Sequence, residues 1–246
     1  MTSTIRKALV TGATSGLGKA IAEALAADGV QVLLTGRDAR RGEQVVAGIR
    51  KKGGKADFIV ADLTSAQDVS NLAAHAEEML GGVDILVNNA GIYAFAPTAD
   101  VTSEGFDAMY ETNVKAPLLL TGRLAPAMAK RGWGRIINIT TMVAHFGMPG
   151  AALYGSSKAA LNLLTQAWAA EYAASGVTVN SIAPGPMLTP GTAAMGDGLD
   201  EVAKTIPAGR LGKPEEIAAA AVFLASEAAG YVNGGTIAAD GGRVAV

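Results

Sequence analysis

The chain has 246 residues, with 20 basic and 22 acidic side chains, two histidines and no cysteine. So even a charge balance argues against a nucleic-acid surface or an anionic-membrane tether, and the missing thiols exclude disulfides, thiolate catalysis and cysteine-based metal sites. His75 and His145 are too few for a histidine metal centre, so no metal is expected, and with half of its residues apolar the chain is large enough for one sizeable core.

Short β-branched runs recur at 7–12 (KALVTG), 30–36, 56–63, 83–91, 134–140, 177–185 and 235–242, with helical segments between them. Nearly continuous apolar strands alternating with helices predict an α/β fold: one doubly wound Rossmann domain over 1–246, a seven-stranded parallel sheet with helices on both faces. No apolar stretch is long enough for a membrane span, and the N-terminus has no room for a secretory leader before the first apolar run. A cytoplasmic protein is the expectation.

The first strand runs into TGATSGLGKAIAEALAADG, with glycines at 12, 16 and 18 and an amphipathic helix predicted from Leu17 to Asp28. Glycine lets the backbone turn tightly and approach a pyrophosphate, while the helix start offers unpaired N–H groups and partial positive charge. Nucleotide binding follows. The second strand ends LLTGRDARR, where Gly36 stands at the place of the carboxylate that usually takes a ribose 2′-hydroxyl, and Arg37 follows it. An arginine suits a 2′-phosphate, so NADP(H) is preferred over NAD(H); the plainer alternative for Arg37 is a solvated loop residue. Ser15 is not basic, which keeps the expected preference moderate. Asp62 and Leu63 close the third strand, placed to flank an adenine. Asn88, Asn89, Ala90 and Gly91 close the fourth, and two consecutive buried asparagines need partners from backbone or ligand.

After the fifth strand comes ALYGSSKAAL, in which Tyr154 and Lys158 share a helix face. An ammonium beside a phenol lowers the phenol pKa and suits the pair to proton transfer; a packed tyrosine beside a solvated lysine is the alternative. The helix 151–174 is apolar nearly all round, which predicts burial on two sides, one by the sheet and one by a second subunit. The segment 186–213, rich in Gly and Pro and following the sixth strand, is expected to be a mobile substrate lid.

Taken together, T-G-x-x-x-G-x-G at 11–18, N-N-A-G at 88–91, Asn113, Y-x-x-x-K at 154–158 and P-G followed by Thr at 184–189 resemble the short-chain dehydrogenase/reductase family. The resemblance extends over essentially the whole chain, to GRLGKPEEIA and AADGG near its end. It implies Tyr154 as general acid or base, Lys158 holding the nicotinamide ribose, and Asn113 holding a water of the proton relay. It implies further cofactor contacts from Thr14, Ser15 and Leu17 with the three glycines, from Tyr154 and Lys158, and from Pro184, Gly185 and Thr189, and a homotetramer with the apolar tail GGRVAV in an interface. The family's substrate-orienting serine is replaced by Thr141, which keeps the hydroxyl and adds a methyl; Thr140 is expected on the other face. His145 reads as a loop histidine. Ala94, Phe95, Val143, Met187 and Leu188 are expected around the substrate, and without a fixed cation they suit a small uncharged ketone or alcohol. A reductase of 3-oxoacyl chains on a carrier protein is the nearest alternative, weakened by Ser175 where relatives often carry arginine, although Lys130 and Arg131 remain. A nucleotide-binding regulator without turnover is the other.

Overall fold

The computed structural model describes residues 5–192 and 198–246. In chain order it has β1 (Lys7–Val10), α1 (Gly16–Ala27), β2 (Gln31–Gly36), α2 (Ala39–Lys51), β3 (Ala56–Val60), α3 (Ala66–Leu80), β4 (Ile85–Asn88), α4 (Ser103–Tyr110), α5 (Ala116–Arg131), β5 (Gly134–Ile139), α6 (Ala152–Tyr172), β6 (Val177–Pro184), α7 (Gly198–Lys204), α8 (Pro214–Ala225) and β7 (Thr236–Ala239). The seven strands form one parallel sheet in the order β3-β2-β1-β4-β5-β6-β7, as expected. Strand order reverses between β1 and β4, and in such sheets a crevice opens outside the carboxyl ends of the strands at that point.

Alternation along the strands divides the core in two. Ala8, Val10, Val32, Leu34, Ile85, Val87, Ile137 and Ile182 pack with Ile21 and Leu25 of α1, Val45 and Ile49 of α2 and Ile217 and Leu224 of α8. Leu9, Leu33, Leu86, Ile136 and Val179 face the other way, onto Leu72 of α3, Leu120, Leu124 and Met128 of α5 and Leu161 and Trp168 of α6. Period-2 side chains on strands buried on both faces explain why the runs look uniformly apolar in sequence. Among the described residues no helix is long and apolar enough to cross a membrane.

Helix α6 turns one face to this core, through Leu161, Thr165 and Trp168, and leaves the opposite face open, with Leu163 67% exposed. The expected lid leaves the sheet after Pro184 and is closed at its base by a parallel bridge between Met187 and Gly212. Gly212 N–H donates to Pro186 O at 3.0 Å, and Leu188 N–H donates to Gly212 O at 2.8 Å. Within it α7 is described, while 193–197 lie outside the described residues.

Candidate active site

At the carboxyl end of β1 the chain turns through Gly12, whose φ of +62° is open to glycine, and a Cβ there would lie 2.8 Å from Ala90 Cα. Gly18 is closed to any side chain for a different reason: its Cβ would sit 2.3 Å from Asn89 Nδ2 and 2.4 Å from Gly12 O. The turn is held from β4. Asn89 Nδ2 donates to Thr11 O at 2.9 Å and Gly12 O at 3.1 Å, and Thr11 Oγ1 accepts from the N–H groups of Asn89 and Ala90, both at 3.0 Å. Asn89, expected as a cofactor contact, therefore spends its amide protons fixing the loop. Its neighbour Asn88 donates to Asn138 Oδ1 at 2.8 Å, inside the sheet.

Helix α1 starts from Ser15 with no side-chain cap and no acidic residue in its first turn, whereas α2, α3 and α4 are capped by Asp38, Ser65 and Thr102. An uncapped start leaves N–H groups and the positive end of the dipole facing the crevice, beside Thr14, Gly16 and Leu17. Thr189, at the base of the expected lid, lies over this turn, 3.9 Å from where a Gly16 Cβ would be.

Arg37 is exposed just past β2 and makes no side-chain hydrogen bond among the described residues. Asp62 has its carboxyl held below the usual range by hydrogen bonds from the Thr64 N–H and hydroxyl, with the Arg37 charge adding to them. Leu63 packs half-buried against the second core. Gly36 lies against Thr14, with a Cβ at 2.7 Å from Thr14 Cγ2, so an aspartate there has to displace Thr14 first. Pro184 ends β6, and Gly185 donates to Ala239 O at 3.1 Å with no room for a Cβ beside Asp240.

The reactive side chains meet between β4, β5 and α6. Lys158, 4% exposed, donates from Nζ to Ile139 O at 2.9 Å, and burial pushes its pKa down to about 8. A Cβ on Gly91 would stand 3.1 Å from both Lys158 Nζ and Asn113 Oδ1, so Gly91 brings those two groups together. Asn113 sits in a π-turn (Glu111–Lys115) between α4 and α5, where the Ala116 N–H reaches five residues back to Glu111 O. Such one-residue insertions re-aim a side chain and recur at functional sites. Here the turn sends Asn113 inward: Oδ1 accepts from Ile92 N–H at 2.9 Å, and Nδ2 donates to Ile92 O at 2.9 Å and to Ser157 Oγ at 3.0 Å.

Tyr154 stands one helical turn before Lys158, its phenol beside the Thr141 hydroxyl. The structure corrects one expectation about it. Burial raises the phenol pKa, Thr141 offsets this in part, and the lysine does not lower it, because Lys158 is itself desolvated and turned to the Ile139 carbonyl. Thr141 is buried just past β5, its oxygen accepting from Val143 N–H at 3.4 Å, while Thr140 donates to Ile182 O at 3.2 Å.

The residues expected around the substrate differ in exposure. Met187 is buried in the first core, its sulfur packed against Gly212, because the bridge at the base of the loop turns it inward. Leu188 is exposed and Val143 is buried behind Gly155. Phe95 meets the Tyr154 ring edge-on, with centroids 5.8 Å apart. His145 is exposed, with Nε2 3.2 Å from Asn162 Nδ2. Two residues that carry this site, Tyr93 and Ser157, were not foreseen. Tyr93 lies 6.2 Å from the Tyr154 ring, and its signal was a pair of alternating aromatics right after N-N-A-G in an aromatic-poor chain. Ser157, three residues after Tyr154 and on its face, donates to Tyr154 O at 2.8 Å.

A family model described as enoyl-(acyl carrier protein) reductase matches residues 12–243. A solved structure described as a short chain dehydrogenase/reductase family protein is 49% identical, with a TM-score of 0.91 and 98% of each chain covered. The chain belongs to the short-chain dehydrogenase/reductase family. Within this oxidoreductase family it is 38% identical to gluconate 5-dehydrogenase of Gluconobacter oxydans, over 96% of this chain and 93% of the relative. It is 34% identical to a gluconate 5-dehydrogenase of Burkholderia cenocepacia solved with NADP and tartrate, at a TM-score of 0.92, covering 98% of this chain and 96% of that one. The short-chain dehydrogenase/reductase motifs thus fall in this chain on residues that its own geometry gathers at one sheet edge.

Proposed function

We propose that the protein is an NADP(H)-dependent oxidoreductase acting on a small uncharged ketone or the corresponding secondary alcohol, with Tyr154 as general acid and base. The observation that carries this reading is the convergence of Tyr154, Thr141, Lys158 and Asn113 at the mouth of a crevice whose other wall is a side-chain-free glycine turn and an uncapped helix start. That cradle fits a dinucleotide: glycines allow the close approach, and the helix start faces the pyrophosphate. Arg37 grips the 2′-phosphate, and Asp62 with Leu63 flank the adenine. Pro184, Gly185 and Thr189 close over the nicotinamide end, the segment 186–213 acting as the lid. When bound, the nicotinamide supplies or accepts the hydride.

The chain's own residues do the rest. Thr141 fixes the substrate oxygen against the phenol, and Tyr154 gives that oxygen its proton in reduction and takes it back in oxidation. Lys158, with ammonium protons left over from its bond to Ile139 O, would hold the ribose, and its positive charge there would favour the ionised phenol. Asn113, anchored on both sides by Ile92, holds the water that connects Lys158 to solvent. Exposed large apolar side chains on α4, α5 and α6 (Phe106, Leu118 and Leu163) and toward the end of the chain (Phe223, Tyr231 and Val246) support burial against further subunits, read here as a homotetramer. Delivery of the substrate by a carrier protein is less well supported, since Arg131 donates to Val83 O and pairs with Asp84 at the other edge of the sheet.

The test is to mix the protein with NADPH and a panel of uncharged ketones and follow loss of the reduced cofactor by absorbance. Turnover of at least one ketone is expected. Tight NADPH binding with no turnover across the panel would leave the regulator as the reading.

A further inference from the structure

We infer that Thr14 is a specificity-determining residue for the cofactor: its methyl group fills the place that a side chain on residue 36 needs, and so shuts out a carboxylate able to read a free ribose 2′-hydroxyl; this rests on the dinucleotide cradle proposed above. A Cβ on Gly36 would lie 2.7 Å from Thr14 Cγ2, 3.5 Å from Thr14 Oγ1 and 3.7 Å from Thr14 Cβ. The first is an overlap, and the other two are ordinary contacts. Gly36 closes β2 and is not among the glycines with positive φ, so its backbone suits any residue. Glycine is required there by the neighbouring side chain and not by the chain's own conformation.

Neither partner is free to withdraw. Ala13 N–H donates to Thr35 O at 3.0 Å, which ties the residue before Thr14 to the residue before Gly36, and Ala61 N–H donates to Gly36 O at 3.2 Å from the β3 side. The end of β2 is thus held from both neighbouring strands. Thr14 is β-branched, so relief by rotation comes only in staggered steps. One such step puts the hydroxyl where the methyl was, and only one of the three staggered states turns the Cβ hydrogen toward Gly36. The strand end is where an α/β sheet of this kind reads the ribose 2′ group, by an acidic side chain for a hydroxyl or a nearby arginine for a phosphate. With residue 36 bare, Arg37 follows directly, while the carboxylate of Asp62 beyond β3 is committed through Oδ1 to the Thr64 N–H and hydroxyl at 3.1 and 2.9 Å. Cofactor choice is therefore written in residues 14 and 36 together, and a change at 36 alone cannot rewrite it.

The experiment is a double-substitution cycle with two readouts. In the cofactor-free protein Gly36→Ala should lower Tm by about 3–8 °C, as overpacking does in a chain of this size. In a Thr14→Ala background the same change should leave Tm unchanged or raise it, as Gly→Ala does in ordinary backbone. Affinities for NADH and NADPH are then measured by fluorescence titration. Gly36→Asp alone should weaken NADPH roughly tenfold or more and strengthen NADH by less than about threefold. Thr14→Ala with Gly36→Asp should bind NADH about tenfold more tightly than Gly36→Asp does, the worth of one charge-assisted hydrogen bond. Thr14→Ala by itself should keep the ratio of the two affinities within about twofold of wild type, since it adds no group for either ribose. Equal Tm losses in the two backgrounds, or a double variant no better than Gly36→Asp at binding NADH, overturns the inference. If Gly36→Asp is too unstable to titrate, the alanine pair decides. A wild type that binds NADH more tightly than NADPH would instead sink the cofactor proposed above, while the Tm comparison still decides for or against Thr14, so the two failures are distinct.

Discussion

Two buried cations lie at opposite edges of the sheet, Arg135 at 3% exposure and Lys158 at 4%. Arg135, at the amino edge, is paired on several sides: Nε donates to Ser226 O at 3.2 Å, Nη1 to Gly134 O at 2.9 Å, the guanidinium lies 4.3 Å from the Trp133 ring centroid, and Glu227 stands 3.8 Å away. Arg6 covers the same indole at 3.6 Å, and Glu227 accepts from both Arg6 and the Trp133 N–H. Lys158, at the carboxyl edge, has among the described residues one carbonyl for three ammonium protons. Burial pushes both cations down in pKa, but only at Arg135 does a facing carboxylate push back. A buried charge with a facing carboxylate and a stacked ring is built into the fold, and one without an opposite charge is the better candidate for a ligand.

The sharpest way to break this contrast is at the carboxyl edge. Tyr154→Phe should cut kcat by roughly 10²- to 10⁴-fold, the usual loss for a positioned proton donor, with NADPH affinity by fluorescence titration nearly intact. A variant within threefold of wild type would falsify the assignment. At the amino edge the opposite is expected: Arg135→Met loses the stacking and the hydrogen bonds and should destabilise by about 2 kcal/mol in urea unfolding, with kcat/KM of the remaining folded enzyme unchanged. A loss of activity without a loss of stability would show the amino edge to be coupled to the chemistry.

Arg37→Ala should lower the ratio of NADPH to NADH efficiency by about ten- to a hundredfold, since a charged hydrogen bond of about 1.5–3 kcal/mol goes with the 2′-phosphate alone. An unchanged ratio in steady-state kinetics would return Arg37 to solvent. Gly36→Asp is the poorer test, because its Cβ must first move Thr14.

Lys158→Met should do to stability the reverse of Arg135→Met. A lysine whose pKa falls from 10.5 to about 8 on folding is a net cost that is full below pH 8, shrinks as pH rises toward 10.5, and is gone above it. Removing it should stabilise the cofactor-free protein by about 1–2 kcal/mol at pH 7, after the lost bond to Ile139 O is allowed for, and the gain in Tm should vanish near pH 10.5. A gain that persists at high pH would mean packing, not charge, had been relieved. The smallest effect belongs to Thr141→Ser, expected within about threefold of wild-type kcat/KM because the hydroxyl stays, while Thr141→Ala loses turnover. Equal rates for the serine and alanine variants would move the orienting role elsewhere.

The sequence made the sheet legible because period-2 burial and glycine turns leave marks in single residues: all seven strands, the glycine loop and the Tyr154/Lys158 spacing could be read directly. What escaped depends on geometry that leaves no such mark. The π-turn that aims Asn113 inward is one extra backbone residue within an ordinary helical run. That Asn89 serves the loop, that Met187 turns into the core, and that Gly36 backs onto Thr14 are contacts between segments far apart in the chain. The expected drop in the Tyr154 pKa failed for a related reason, since helix spacing says which residues share a face and not which carbonyl a lysine prefers.

The bridge between Met187 and Gly212 makes the intervening stretch an exchangeable cassette. Its two ends are clamped to each other by backbone bonds from Leu188 and Gly212, so its length does not have to be matched to the sheet. For a chain tethered in this way, doubling the loop costs only about 0.6 kcal/mol in closure entropy. Residues between the two clamps can therefore be replaced or added while the sheet and the side chains at its carboxyl edge stay in place.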